Sequence, residues 1–168
     1  DIALSSDDAI MVTGLQDIGN LKNEGVPAWK YIGGGDGEST FIDYTHNNNI
    51  VTSEPNGGHN FSDDGGISKY SLGHDDLPAG TEFFSPIIQD PVVPTTCYAG
   101  GRPLLYKSTN YRDAVSGNHS WTSSIGQPAG TGSILRFAVA PSNPLTIYVC
   151  KQDAISITTD GGNNWVNI

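Results

Sequence analysis

The chain has one methionine, two cysteines and only eight basic residues in 168, and each scarcity excludes something. Two cysteines cannot build the multi-bridge framework of a small disulfide-held domain. Cys97 and Cys150 fall in similar strands of different repeats but out of register, so two buried free thiols are expected, with a bridge left open. Eight Lys and Arg against 18 Asp and Glu give a formal net charge of -10. That balance disfavours a nucleic-acid backbone or an anionic membrane surface as partner, and favours neutral polar ligands or cations. No apolar run approaches the ~18 residues of a transmembrane helix, so no membrane insertion is expected, and no signal peptide opens the chain. With Asp1 in first place instead of Met, the chain is expected to be a processed or excised piece. No window of helix length carries an apolar stripe at helical period.

What the sequence has in quantity is turn chemistry. Gly 21 and Pro 10, with abundant Asn and Ser, read as many short strands joined by turns, and 36% hydrophobic residues are enough for one domain with a core. The fold class is therefore all-β. Four segments repeat one plan of apolar strand, turn rich in Asp, Asn or Pro, and second apolar strand, at residues 2–12, 41–51, 87–98 and 137–148. The corresponding positions Ser5, Asp43, Asp90 and Ala140 recur 38, 47 and 50 residues apart, a spacing that fits the blades of a propeller.

Within the last repeat, Ala154-Ile155-Ser156-Ile157-Thr158 alternates at strand period, and Asp160, Gly161, Gly162 and Asn163 supply the side-chain oxygens and positive-φ positions of a tight turn. Thr158, Asp160, Gly162 and Trp165 follow the spacing Ser/Thr-x-Asp-x-Gly-x-x-Trp. This resembles the Asp-box (BNR repeat) of sialidase-type, sortilin-type and xyloglucanase-like β-propellers. Ser62, Asp64 and Gly66 repeat it, with Lys69 at the aromatic position and Tyr70 adjacent. In the third repeat Ser108-Thr109-Asn110 keeps only the first position and reaches Trp121 after an insertion from Tyr111 to Ser120, and the first repeat offers only Trp29. In such turns the carboxylate holds backbone N–H groups, so Asp160 and Asp64 are expected to be structural.

The resemblance implies four four-stranded antiparallel blades, at about 1–32, 33–78, 79–127 and 128–168, each with its first strand lining a central channel. Trp29, Tyr70, Trp121 and Trp165 would seal neighbouring blades. Four blades are few for a closed ring, so the chain is expected to be an arc of a larger propeller. Its open ends would meet the remaining blades or self-associate.

If the boxes join third and fourth strands on one face, the turns between second and third strands and the links between blades lie on the other. That face collects Gln16, Asp17, His59, Arg102 and Asp153 from the turns, and Asp36, Glu38 and His74 from the links. Gly14-Leu15-Gln16-Asp17-Ile18-Gly19 is similar to the Gly-Leu-Gln-Asp-Asn-Gly of glycosidase-like secreted propellers of Bacteroidetes type. Gly34-Gly35-Asp36-Gly37 is similar to the Gly-Gly-Asp-Gly that follows in many of them. His59 and His74 lack zinc-site spacing and read as exposed turn residues, and Asp36-Gly37-Glu38 and Asp63-Asp64 lack the full alternation of a calcium loop. No metal and no cofactor is expected.

The functional expectation is an Asp-box propeller segment of a secreted or cell-surface protein, acting as a scaffold that binds carbohydrate. One alternative is a protein or peptide ligand, as the sortilin-type resemblance implies. Another is a non-sialidase glycoside hydrolase, which needs two carboxyl groups about 5 Å apart for retention or about 6.5 to 9.5 Å for inversion. Asp17 and Asp36 are the candidate catalytic pair, and activity is not expected of the isolated chain. Sialidase chemistry is disfavoured because the Arg-Ile-Pro signature is missing and Arg102, Arg112 and Arg136 do not converge on one face.

Overall fold

Short strands alternate with turns along the whole computed structural model, which describes residues 1–73, 77, 82–122 and 125–168. The only helical segments among the described residues are 3-10 turns at Pro55–Gly57 and Tyr111–Ser116. The first sheet contains β1 (Ile2–Leu4), β2 (Met11–Leu15), β3 (Gly19–Asn23) and β4 (Lys30–Gly33). The second contains β5 (Thr40–Ile42), β6 (Ile50–Glu54), β7 (Gly58–Ser62) and β8 (Tyr70–Ser71). The third contains β9 (Ile87–Gln89), β10 (Cys97–Gly100) and β11 (Leu105–Ser108), with Thr122 bridging to Lys107 where a fourth strand would lie. The fourth contains β12 (Ile134–Ala140), β13 (Asn143–Lys151), β14 (Ile155–Thr158) and β15 (Val166–Asn167). In every sheet neighbours in space are neighbours in sequence, and all pairs are antiparallel.

Strand alternation gives each sheet two apolar faces, and the cores lie between sheets. In the second sheet Phe41, Val51 and Phe61 pair across β5, β6 and β7 on one face, while Ile42 and Ile50 pair on the other. Ile42 and Ile50 meet Val12 and Ile32 of the first sheet. Phe41, Val51 and Phe61 meet Ile87, Cys97, Ala99 and Tyr106 of the third. Tyr98 and Leu105, on the third sheet's far face, meet Val139, Ile147 and Val149 of the fourth. The two ends lack such a neighbour within the chain: Ile2, Leu4 and Tyr31 of the first sheet are exposed, as are Tyr148, Ile155 and Val166 of the fourth.

Three of the four repeated anchor positions, Ser5, Asp43 and Asp90, are turn clasps between first and second strands, whereas Ala140 has no side-chain acceptor. Ser5 Oγ accepts the Ile10 N–H at 2.9 Å, the Asp43 carboxylate accepts the Thr45 N–H at 2.9 Å, and Asp90 accepts those of Val92 and Val93 at 2.8 and 2.9 Å. At the same end, the turns after β7 and β14 share one hydrogen-bond plan. Ser62 Oγ accepts the Gly66 N–H at 2.8 Å, and the Asp64 carboxylate accepts from Ser62 Oγ and the Ser68 N–H, both at 2.8 Å. Thr158 Oγ1 accepts the Gly162 N–H at 3.0 Å, and Asp160 accepts from Thr158 Oγ1 at 2.8 Å and the Asn164 N–H at 2.9 Å. Gly162 has φ +96°, and a Cβ there would lie 2.3 Å from the Ile125 carbonyl oxygen, so both strain and space require glycine.

Two expectations need correction. Trp29 seals nothing: it is 42% exposed at the open end of the arc, where no earlier sheet of this chain covers it. Trp121 and Trp165 do reach the preceding sheet, donating their indole N–H to the Leu72 and Ile125 carbonyls. Cys150 is half-buried rather than buried, because it lies on the uncovered face of the fourth sheet; Cys97 is fully buried, and both thiols are free.

The insertion in the third repeat folds back onto the second sheet. Tyr111 is fully buried, packed edge-on against Phe41 and Phe61, with ring centroids 5.6 Å away in each case. Its hydroxyl donates to Asp43 at 2.9 Å, and Arg112 pairs with the same carboxylate. Burial pulls the Asp43 carboxyl upward, but hydrogen bonds from Thr45, Gln89 and Asn49 outweigh it and hold the group at about 2. Tyr111→Ala is expected to cost about 3–5 kcal/mol through the lost ring, and Tyr111→Phe only about 1–2 kcal/mol through the lost hydrogen bond. Urea unfolding at neutral pH separates them, and equal losses would show that ring packing is not what anchors the insertion.

Candidate functional site

The antiparallel order places the β2–β3, β6–β7 and β13–β14 turns and the links between sheets at the end opposite to the clasped turns. At this end the link between first and second sheets crosses the β2–β3 hairpin with backbone against backbone. The Gly37 N–H donates to the Leu15 carbonyl at 3.0 Å. A Cβ on Gly37 would lie 2.3 Å from the Gly19 carbonyl oxygen, and one on Gly14 would lie 2.2 Å from that of Glu38. One glycine of each motif, Gly14 and Gly37, thus serves this crossing.

Asp17 and Asp36 come together there. Asp17 sits at the hairpin tip with φ +63°, a left-handed conformation that an Asp tolerates better than most side chains. Its N–H donates to Asp36 Oδ1 at 2.6 Å, so Asp36 clamps the turn. The Asp17 side chain is exposed and makes no hydrogen bond among the described residues, as does its exposed neighbour Gln16.

Glu38, two residues beyond Asp36, is only 4% exposed. Its Oε2 accepts the Ser85 N–H at 3.2 Å, and its Oε1 is buried without a partner. Burial pushes the carboxyl up to about 7; the Ser85 bond opposes the shift and the nearby Asp36 charge adds to it. Glu38 therefore titrates near neutrality.

His59, expected in an exposed turn, is fully buried, because the tight connection through Pro55–Gly57 brings it into strand β7 beneath the link. Its ring is held at both nitrogens, by Ser53 Oγ at 2.7 Å and Ser85 Oγ at 3.1 Å. Ser85 Oγ donates its one proton to the Gly100 carbonyl at 2.7 Å. Ser85 must then accept from His59 Nε2–H, which leaves Nδ1 to accept from Ser53. This directed chain ties second and third sheets, and burial drives the imidazole pKa down to about 3, so the ring is neutral.

The other candidates are dispersed. Arg102 is exposed and pairs with Glu82 at 3.0 Å. Asp153 accepts the N–H groups of Thr131 and Gly132 at 2.8 and 3.1 Å, and these bonds lower its pKa. It clasps a loop near Lys151, whose buried ammonium donates to the Pro128 and Gly130 carbonyls at 2.8 and 3.0 Å. His74 lies outside the described residues. Ser53 and Ser85 carry no sequence signal that would have marked them: each is a lone serine whose role exists only through the ring between them. Among the described residues no group of three or more His, Cys, Asp or Glu could hold a metal ion, and no helix is long and apolar enough to cross a membrane.

No family model and no curated protein matches the sequence. Among solved structures, the chain is similar to an ancestral GH74 enzyme, with TM-score 0.75 and 15% identity over 100% of this chain and 25% of that one. It is similar to the GH74 xyloglucanase from Xanthomonas campestris, with TM-score 0.68 and 17% identity over 99% of this chain and 24% of that one. The Niastella koreensis GH74 enzyme gives TM-score 0.58 and 14% identity over 99% of this chain and 35% of that one. The chain spans about a quarter to a third of the length of these proteins. At such identities the likeness shows the fold alone, that of a β-propeller segment.

The two buried titrating groups at the crossing give opposite linkages. Glu38 has a raised folded pKa, so its contribution is present below 4.5 and is lost as pH rises through about 7. His59 has a lowered one, so its contribution is present above 6.5 and is lost as pH falls toward about 3. Glu38→Gln is expected to stabilise the protein at pH 8 by up to roughly 3 kcal/mol and to leave its stability at pH 4.5 nearly unchanged. Urea midpoints at the two pH values test this; an equal shift at both would mean that Glu38 does not titrate between them.

Proposed function

We propose that the chain is part of a secreted or cell-surface Asp-box propeller and that it binds carbohydrate at the Asp17 crossing. The clasped turns at Ser62–Gly66 and Thr158–Trp165 are the Asp-boxes of this reading, for their hydroxyl and carboxylate hold the turn N–H groups as the motif requires. The observation that carries the reading is the Asp17 tip. A non-glycine residue in left-handed backbone, fixed by a neighbouring carboxylate and left with its own carboxylate free, is strain maintained at an exposed position. Gln16 beside it adds an amide that both donates and accepts, the pairing that sugar hydroxyls need. The GH74 likeness supports a carbohydrate ligand, and the net charge of -10 favours a neutral one.

A second reading, glycoside hydrolysis by Asp17 and Asp36, is favoured by the meeting of two carboxylates from adjacent sheets beside a glutamate that is half-protonated near neutrality. Against it, the Asp36 carboxylate is already engaged by the Asp17 N–H. A glycan array followed by a reducing-sugar assay separates the two. Binding without release of reducing ends, weakened roughly tenfold in Asp17→Asn, is the expected result. Hydrolysis lost in Asp17→Asn would establish the second reading, and a peptide ligand with no dependence on sugar would displace both.

A further inference from the structure

The junction of first and second sheets is built differently from the others. At the third and fourth sheets the indoles of Trp121 and Trp165 lie across the junction to the sheet before. The matching position in the second sheet is Lys69, whose Nζ lies beside Gly33 and pairs with Glu54 at 3.4 Å. Separate from Lys69, a pocket of about 430 Å³ lies at this junction, between β3 and β4 and the turns of the second sheet. It is at the end of the Asp-box turns, opposite to Asp17.

Both sheets contribute walls. β3 and β4 supply Lys22, Lys30 and Ile32 on one face, with Glu24 just beyond β3; the turns of the second sheet supply Asn48 and Asp64. Lys22 is 7% exposed, donates to the Gly65 carbonyl at 2.8 Å and pairs with Glu24 at 3.0 Å. Lys30 pairs with the other oxygen of Glu24. An ammonium has three donors, so one on Lys22 and two on Lys30 remain for a ligand. Glu24 keeps lone pairs, and the Asn48 amide makes no hydrogen bond among the described residues. Two ammonium groups and two carboxylates sum to zero formal charge, so the walls select neither an anion nor a cation. They offer charge-assisted donors and acceptors side by side, as adjacent hydroxyls require, over an apolar floor at Ile32.

We infer that this interblade pocket binds a neutral polyhydroxylated ligand of about the size of one hexose. The site goes beyond the Asp17 reading and stands or falls separately from it. The test is a titration of the 168-residue protein with glucose and galactose, followed through its backbone amide resonances, with glucuronate as the charged comparison. Saturable shifts at residues 22–30, 48 and 64–67 are expected, weakened roughly tenfold in Lys30→Ala and Asn48→Ala; both side chains are exposed, so the fold should persist. Shifts confined to residues 14–19 and 36–38 would overturn the pocket and leave the proposed function standing. No shifts at the pocket, tighter binding of glucuronate, or affinity unchanged in both variants would also overturn it.

Discussion

A four-stranded sheet cannot bury its own faces, and this chain solves that constraint only by stacking. Each of its apolar clusters lies between two sheets, and none lies within one. Phe41, Val51 and Phe61 are buried because Ile87, Ala99 and Tyr106 stand against them, and the same strands turn Ile42 and Ile50 toward Val12. The arrangement propagates naturally and has no natural end, which is why Ile2 and Leu4 at one extremity and Tyr148 and Ile155 at the other remain exposed. Such faces match what an adjoining sheet of the same kind would cover.

Stacking in turn demands short connections whose backbone groups are satisfied without water-filled space, and the chain meets this with side-chain oxygens. The same carboxyl group then behaves in opposite ways at the two ends of the sheets. Hydrogen bonds from Ser68 and Asn164 hold Asp64 and Asp160 at about 2, because each donor favours the charged form. Glu38 has a single N–H donor and an oxygen with none, so burial dominates and the group moves to about 7. Asp64 and Asp160 thereby stay ionised across the physiological range, whereas Glu38 at the other end titrates within it.

The loop end is also where rigidity and access are divided between neighbouring residues. His59 and Ser85 are consumed in holding second and third sheets together, and Asp36 in clamping the hairpin. Asp17 and Gln16 are left free on that frame. A binding group presented by a rigid support loses little freedom on engaging a ligand, which is the advantage of placing it at a tight crossing instead of a long loop.

The all-β class, the fourfold repeat and the clasped turns were legible in the sequence because they are local. Strand period, glycine at positive φ and a Ser or Thr two residues before Asp act within a few residues and leave a pattern that can be read directly. The two glycine-rich motifs were legible as turns for the same reason, and one glycine of each, Gly14 and Gly37, turns out to serve one crossing. What only the tertiary structure decided are relations across junctions. That His59 is buried and neutral, that Glu38 is cut off from water, and that Tyr111 of an apparent insertion completes the core of a sheet earlier in the chain all depend on residues far away in sequence. The exposure of Trp29 and the pocket between Lys22, Lys30 and Asn48 follow likewise from what stands opposite, since a residue's environment in a stacked sheet is set by its neighbour and its own sequence context carries no record of it.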